Sequence, residues 1–345
     1  MLELSRLNRG TFLAGAAALG YASSAAVAGA QLPAPPPPRT RIDVHHHYVP
    51  PKYLAAVGTA SLAQPILTWT PAKSLEDMEA GGVSRALLSI TTPGLDFGMP
   101  AATARLARDC NEYAAGMIQQ YPTRFGMFAA LPLPDVKASL IETAYALDVL
   151  KADGVGLFSS YAGHIWLGSP ELDPLFAELD RRHALVFVHP TSNACCTGLL
   201  PNVFDSIVEY QTDSTRAIAN FLFNGAAKRF PNVKVIFSHA GGTMPFLIGR
   251  FLEAARAPSV SANVAAGVNA MLASFYYDTA QSVNPQNMKM LASIVPTSHI
   301  MFGTDFPFGS TPRQAAGLQT CGFSDGDLRG IFTSNAMALL AQHAG

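Results

Sequence analysis

The sequence predicts an α/β protein of the (β/α)8 TIM-barrel class, on three observations. Eight short β-rich runs alternate with helix-like segments after residue 40. Several of these runs are almost continuously apolar, as strands covered on both faces are. The polar residues that close them are of metal-binding type and stand at the same end, where barrel strands converge on an active-site mouth.

Composition sharpens the third observation. The chain has 345 residues, 49% hydrophobic and 14% charged, with a formal net charge of -1. Globular proteins carry about 25% charged residues, so polar side chains that close apolar strands stand out. The same figures exclude a disordered chain and lack the basic surplus that a nucleic-acid binder needs. No apolar run reaches the roughly 18 to 20 residues of a membrane span. The length suits one large domain or two modest ones.

In chain order, residues 1–30 read as an export signal. Arg6 and Arg9 form a basic start and residues 12–19 a short apolar stretch. Ala26-Val27-Ala28 and Ala28-Gly29-Ala30 fit the small-residue cleavage pattern. Arg9-Gly10-Thr11-Phe12-Leu13 resembles a twin-arginine signal with Gly10 in place of the second arginine. An exported, periplasmic protein is therefore expected, with a cytoplasmic one as the alternative. Residues 31–40 contain Pro33, Pro35, Pro36, Pro37 and Pro38, a stiff spacer without hydrogen bonds of its own. The barrel domain then occupies residues 41–345.

The strands are expected at 42–45, 86–91, 125–131, 154–158, 185–189, 233–239, 275–279 and 299–303. Helices are expected at 101–121, 138–151, 170–183 and 215–230, with ordinary stop signals at Gly81-Gly82, Pro122 and Pro231-Asn232. A doubly wound open sheet is the competing architecture, but no G-x-G-x-x-G follows the first strand. Cys110, Cys195, Cys196 and Cys321 form no C-x-x-C pair. Neither a disulfide framework nor a cysteine zinc site is expected, and the adjacent Cys195 and Cys196 are read as unbonded.

The candidate site is assembled from five residues. His45 and His47 end the first strand, His189 closes the fifth, His239 closes the sixth and Asp305 follows the eighth. Alternation puts His45 and His47 on one face, and turns His46 away as a bystander or supporting group. Three imidazoles with one carboxylate suit Zn²⁺, or Mn²⁺ or another first-row ion. Strand four ends Leu157-Phe158-Ser159-Ser160, without a Lys, Glu or Asp to bridge a second ion, so one metal is expected. His164, His183, His299 and His343 are read as structural or surface residues. Asp278 ends strand seven and either reaches the pocket or holds the barrel rim.

The motifs D-x-H-x-H-x-x-P at 43–50, V-H-P at 188–190, S-H-A-G-G at 238–242 and G-T-D-F-P at 303–307 resemble the amidohydrolase superfamily. More narrowly, they resemble its amidohydrolase-related branch, with the aminocarboxymuconate-semialdehyde, γ-resorcylate and 6-methylsalicylate decarboxylases. Segments 125–132 and 238–246 look most like the 6-methylsalicylate group, whereas the γ-resorcylate type has Glu where His45 stands. The resemblance implies a barrel of the metal-dependent hydrolase type, with His45, His47, His189 and Asp305 as ligands. It implies His239 as acid/base, and Arg250 as a residue that reaches a substrate carboxylate across a homodimer interface. Trp166, Phe158, Phe306 and Phe308 are candidate apolar walls for the substrate.

The function expected on this basis is metal-dependent, non-oxidative decarboxylation of a small aromatic or enoic acid. The ion would position the carboxylate and offset its charge, and His239, metal-bound water or Asp305 would protonate the carbon that bears it. Coordination would keep Asp305 ionised and His189 neutral. The alternative is hydrolysis of an amide, lactone or ester by metal-activated water, with His239 as base. A non-enzymatic metal-binding protein is a third, poorer reading.

Overall fold

The computed structural model describes residues 38–342, except Ala60, Ser61, Ala63, Phe97 and Ser192. The export-signal reading, most of the proline spacer and His343 lie outside the described residues. Within them, eight parallel strands follow one another around a barrel. They are β1 (Arg41–His47), β2 (Val83–Ser89), β3 (Phe125–Ala130), β4 (Gly154–Phe158), β5 (Leu185–His189), β6 (Lys234–Phe237), β7 (Tyr276–Asp278) and β8 (Ile300–Met301). The circle closes between β8 and β1, where Val44 N donates to Phe302 O at 3.0 Å. Asp305 N reaches His45 O, and His47 N reaches Phe306 O, both at 2.8 Å. The architecture is the predicted (β/α)8 barrel. Among the described residues, no helix is long and apolar enough to cross a membrane.

Two apolar layers hold it together. Ile42, Leu87, Phe128, Phe187, Ile236 and Met301 pack inside the barrel, and Ala336 and Leu339 of the C-terminal helix join them. A larger cluster lies between strands and helices, which explains strands apolar on both faces. The helix at Pro100–Gln120 contributes Leu106, Ala107, Cys110, Ala114 and Met117, a stripe at helical spacing.

The differences from the expected elements have local causes. β1 runs to His47 because its last residues pair with Leu88 and Ser89 of β2. Its register slips between Asp43 and His46, a bulge that adds one residue to the strand. Strict alternation from Ile42 and Val44 would have turned His46 inward. The bulge turns His45 and His47 inward instead. The helix expected at 215–230 begins earlier, at Asp205, and breaks after Phe223, where Gly225 takes a left-handed φ of 77°. The helix expected at 138–151 starts at Val136 and loosens into a π turn at Tyr145–Val149.

Cys195 and Cys196 are bonded to each other, which corrects the reading of both as unpaired; Cys110 and Cys321 are free and buried.

Phe187 ties the barrel core to the site, since its ring stacks on Phe128 at 5.1 Å and meets His45 edge-on at 5.0 Å. Phe187→Ala is expected to cost about 3 to 5 kcal/mol of unfolding free energy, measured by urea denaturation. A loss below 1 kcal/mol would contradict this packing role.

Candidate metal centre and active site

The residues that end the strands meet at the C-terminal mouth of the barrel. One ligand-type atom from each of His45, His47, His189 and Asp305 lies within 4.8 Å of every other, and all four residues are buried. His45 Nε2 and His47 Nε2 stand 3.1 Å apart. Asp305 Oδ1 lies 3.0 Å from His47 Nε2 and 3.2 Å from His45 Nε2.

The outer nitrogens of the three rings are already engaged. His45 Nδ1 faces Asp278 Oδ2 at 2.8 Å, His47 Nδ1 faces Ser89 O at 3.2 Å and His189 Nδ1 faces Pro190 O at 2.8 Å. A carboxylate and two carbonyls only accept, so each Nδ1 carries a hydrogen, and each ring, when neutral, presents the lone pair of its Nε2 inward. Three lone pairs and a carboxylate aimed at one buried point repel each other unless a cation lies among them. The donor set therefore fits one divalent ion.

Electrostatics lead to the same charge. Burial works against a charged His45, but Asp278 and Asp305 outweigh it and raise its pKa to about 10. Burial holds His189 well below the usual histidine value, with His47, His45 and His239 adding to the effect. Burial would raise Asp305, yet His45 and the hydrogen bonds of His239, His45 and His47 hold it well below the carboxylate range. Without a metal, the cluster keeps one proton on His45.

Two further carboxylates, whose parts the sequence left unassigned, hold these groups in place. Asp43 Oδ1 accepts from His45 N and Thr304 N, both at 3.0 Å; its Oδ2 accepts from Thr304 Oγ1 at 2.6 Å and pairs with His46 Nδ1 at 3.0 Å. It thereby fastens the end of β1 to the segment carrying Asp305. Asp278, besides orienting His45, accepts from His239 N at 3.0 Å, so it serves both pocket and rim. His46 is a supporting residue, hydrogen-bonded to Asp43 and Ser74 and stacked on Phe306.

Asp305 and His239 both hold positive φ, at 61° and 53°, a conformation rare for residues with a side chain. The bonds from Asp43 through Thr304, and from Asp278 to His239 N, hold them there. A third clamp acts on His189. Ser159 N donates to His189 O at 2.9 Å, and Ser159 Oγ accepts from Thr191 N at 3.1 Å while donating to buried Asp213.

His239 stands beside the donor set, its Nε2 3.5 Å from Asp305 Oδ2. Its Nδ1 is buried and has no hydrogen-bond partner. It lines a cavity of about 1010 Å³ together with His189, Asp305, Tyr210, Gln281 and Phe308. Among the described residues, no lysine or arginine lines this cavity.

The remaining predicted residues divide. Phe158 is partly buried beside the cluster, its ring 6.1 Å from that of His189. Trp166 sits in a short hairpin against Ser160 and lines no part of the cavity. Arg250 is exposed on the helix Ile248–Ala254 and does not line it either.

Fold and site together define a (β/α)8 barrel with one His₃Asp centre at its mouth. The chain belongs to the amidohydrolase family, whose model matches residues 42–341. It is 38% identical over 288 residues to decarboxylase yanB of Aspergillus niger, covering 78% of this chain and 77% of that one. It is 37% identical over 288 residues to the 6-methylsalicylic acid decarboxylase acuB of Aspergillus aculeatus, covering 80% and 86%. Among solved structures, it superposes on a dihydroxybenzoic acid decarboxylase from a Polaromonas species, determined with bound manganese and the inhibitor 2-nitroresorcinol. The TM-score is 0.73 at 18% identity, covering 88% of this chain and 97% of that one.

Two outcomes follow for the metal-free protein. Because His45 must lose its proton to bind an ion, raising the pH from 7 to 8 should tighten metal binding about tenfold. Competition against a chromophoric chelator measures this, and a pH-independent affinity would contradict it. Asp278→Asn should weaken metal affinity by roughly 10- to 100-fold in the same assay; unchanged affinity would remove Asp278 from this role.

Proposed function

We propose that this chain is a metal-dependent, non-oxidative decarboxylase of a small aromatic carboxylic acid, of the 6-methylsalicylate kind. The observation that carries the reading is His239, a buried imidazole that stands beside the His₃Asp centre, lines the cavity and has no hydrogen-bond partner at Nδ1. The identities of 37 and 38% to fungal decarboxylases support it.

His45, His47, His189 and Asp305 would hold the ion. Zn²⁺ suits three imidazoles and a carboxylate. Mn²⁺ is the alternative, supported by the manganese of the Polaromonas fold relative. Bound there, the ion supplies positive charge that orients the substrate carboxylate and offsets its negative charge. Among the described residues, no other cationic group lines the cavity for that purpose.

The chain's own residues manage the proton and the water. His239 delivers a proton to the ring carbon bearing the carboxylate, which interrupts the aromatic system. The bond to the carboxylate carbon then breaks, its electrons restore the ring, and CO₂ leaves. Asp305 remains ionised as a ligand and faces His239. Phe308 makes one wall apolar, and such surroundings favour loss of a charged carboxylate as a neutral gas.

The mouth of the cavity is edged by Phe204, Ile207 and Phe246, which are 80%, 64% and 76% exposed. These apolar edges, with exposed Arg250 nearby in sequence, support a homodimer in which Arg250 serves the partner's substrate. The basic and then apolar leader supports export through a twin-arginine-like route.

The deciding experiment is a panel of salicylate-type acids given to metal-loaded protein, with CO₂ release as the readout. Release is expected from at least one acid and should cease on chelation. Turnover of lactones or anilides with no CO₂ from any acid would overturn the reading in favour of a hydrolase. His239→Asn should keep its metal and lose about 10²- to 10⁴-fold in kcat; undiminished turnover would remove His239 from the chemistry.

A further inference from the structure

Away from the metal-type cluster, the described residues hold one disulfide, between the adjacent Cys195 and Cys196, which no step of the proposed reaction uses. It lies in the loop that leads from His189 to the helix Asp205–Phe223. Buried Asn193 shapes the turn. Its side chain bonds Gly163 O at 2.9 Å and accepts from Cys195 N at 3.2 Å, and its carbonyl accepts from Cys196 N at 2.8 Å. The two sulfur-bearing residues differ in surroundings. Cys195 is exposed and Cys196 buried, and Arg216 Nη2 lies 3.9 Å from Cys196 Sγ.

A thiolate opens a disulfide by attacking one sulfur and expelling the other. It does so faster where the attacked sulfur is accessible and the leaving thiol has the lower pKa. Both conditions select the same direction here. Cys195 is the accessible residue, and a guanidinium beside Cys196 favours its thiolate.

Arg216 also connects this bond to the metal-type cluster. Its Nη1 pairs with Asp213 Oδ1 at 3.3 Å. Asp213 Oδ2 accepts from Ser159 Oγ and, at 3.4 Å, from Ser160 Oγ. Ser159 in turn holds Thr191 N and His189 O. Burial pushes the Asp213 carboxyl up, and Ser159 and Arg216 oppose this. A Cys196 thiolate is a second anion on the same guanidinium, so it competes with Asp213 for that charge.

We propose that Cys195–Cys196 is an exchange site for a small thiol, attacked at Cys195, and that its redox state sets how firmly His189 is held for a metal ion. The attacking thiolate forms a mixed disulfide with Cys195, and the electron pair of the broken bond leaves on Cys196 beside Arg216. A second small thiol attacks the first one's sulfur and expels Cys195, and the two small thiols depart joined as their own disulfide. The protein has gained two electrons and the small thiols have lost them. Of the two protons they give up, one ends on Cys195 and the other in solvent, while Cys196 stays ionised. The oxidised protein is the tighter metal binder, because there Asp213 does not share Arg216 with an anion. This coupling rests on the metal reading of the His₃Asp cluster, not on the decarboxylase.

The test gives the full chain glutathione together with iodoacetamide, which alkylates the Cys196 thiolate. Peptide fragmentation between residues 195 and 196 in a mass spectrometer locates both labels. Glutathione is expected on Cys195 and the alkyl group on Cys196; the reverse pattern, or neither label, would overturn the site. Without iodoacetamide, competition against a chromophoric chelator compares oxidised, reduced and reoxidised protein after anaerobic removal of glutathione. Reduction should weaken metal binding roughly tenfold, the low end for a group that orients a ligand, and reoxidation should restore it. Equal affinity in the two states would overturn the coupling. So would a response that persists in the Cys195→Ser, Cys196→Ser double variant, which would assign it to Cys110 or Cys321. In Arg216→Leu the affinity should no longer follow the redox state, and a swing retained there would overturn the relay. If no metal binds in either state, the metal centre falls with the coupling, and the labels still decide the exchange site.

Discussion

Four buried donor atoms aimed at one point are the constraint around which the rest of this protein is arranged. Left alone they repel, and in a dry interior that repulsion is strong. The rings cannot turn away, because Asp278, Ser89 O and Pro190 O each hold an outer nitrogen. The cluster must carry positive charge, from a proton on His45 or from an ion. A metal centre is thus built into the hydrogen bonding outside the ligands as much as into the ligands themselves.

Holding that geometry has a structural cost, offset by two buried carboxylates. Asp305 and His239 sit at positive φ, where a side chain strains the backbone by about 1 to 3 kcal/mol. Asp43 bonds both to β1 and to Thr304, so barrel closure and the placement of Asp305 are the same event. Asp278 joins His45 to the backbone of His239 in the same manner. Fold stability and site geometry are therefore coupled at the C-terminal rim.

The cavity itself is chemically lopsided. One side is the metal-type cluster with His239; the rest is neutral, mixing Tyr210, Gln281, Thr92 and apolar surface. With no cationic side chain among the described residues that line it, an anionic substrate has one strong attraction, toward the cluster. A single electrostatic anchor leaves the remaining selectivity to the shape of the cavity.

Much of this was legible in the linear chain. Apolar strand runs and their spacing give the barrel. In so uncharged a chain, His45, His47, His189, His239 and Asp305 mark its active end. Other features were not legible, because they depend on partners far apart in sequence. Asp278 meets His45 across 233 positions, and Thr304 meets Asp43 across 261. The bulge in β1 decides which of three consecutive histidines turns outward, and it exists only in pairing with β2. Trp166 suited a substrate role by residue type, yet it sits in a short hairpin against Ser160 and lines no part of the cavity. Residue type and period are local properties, and the sequence by itself determined the fold class and the inventory of the site. Orientation, proton position and the shape left between side chains arise from contacts closed by folding, and only the tertiary structure decided those.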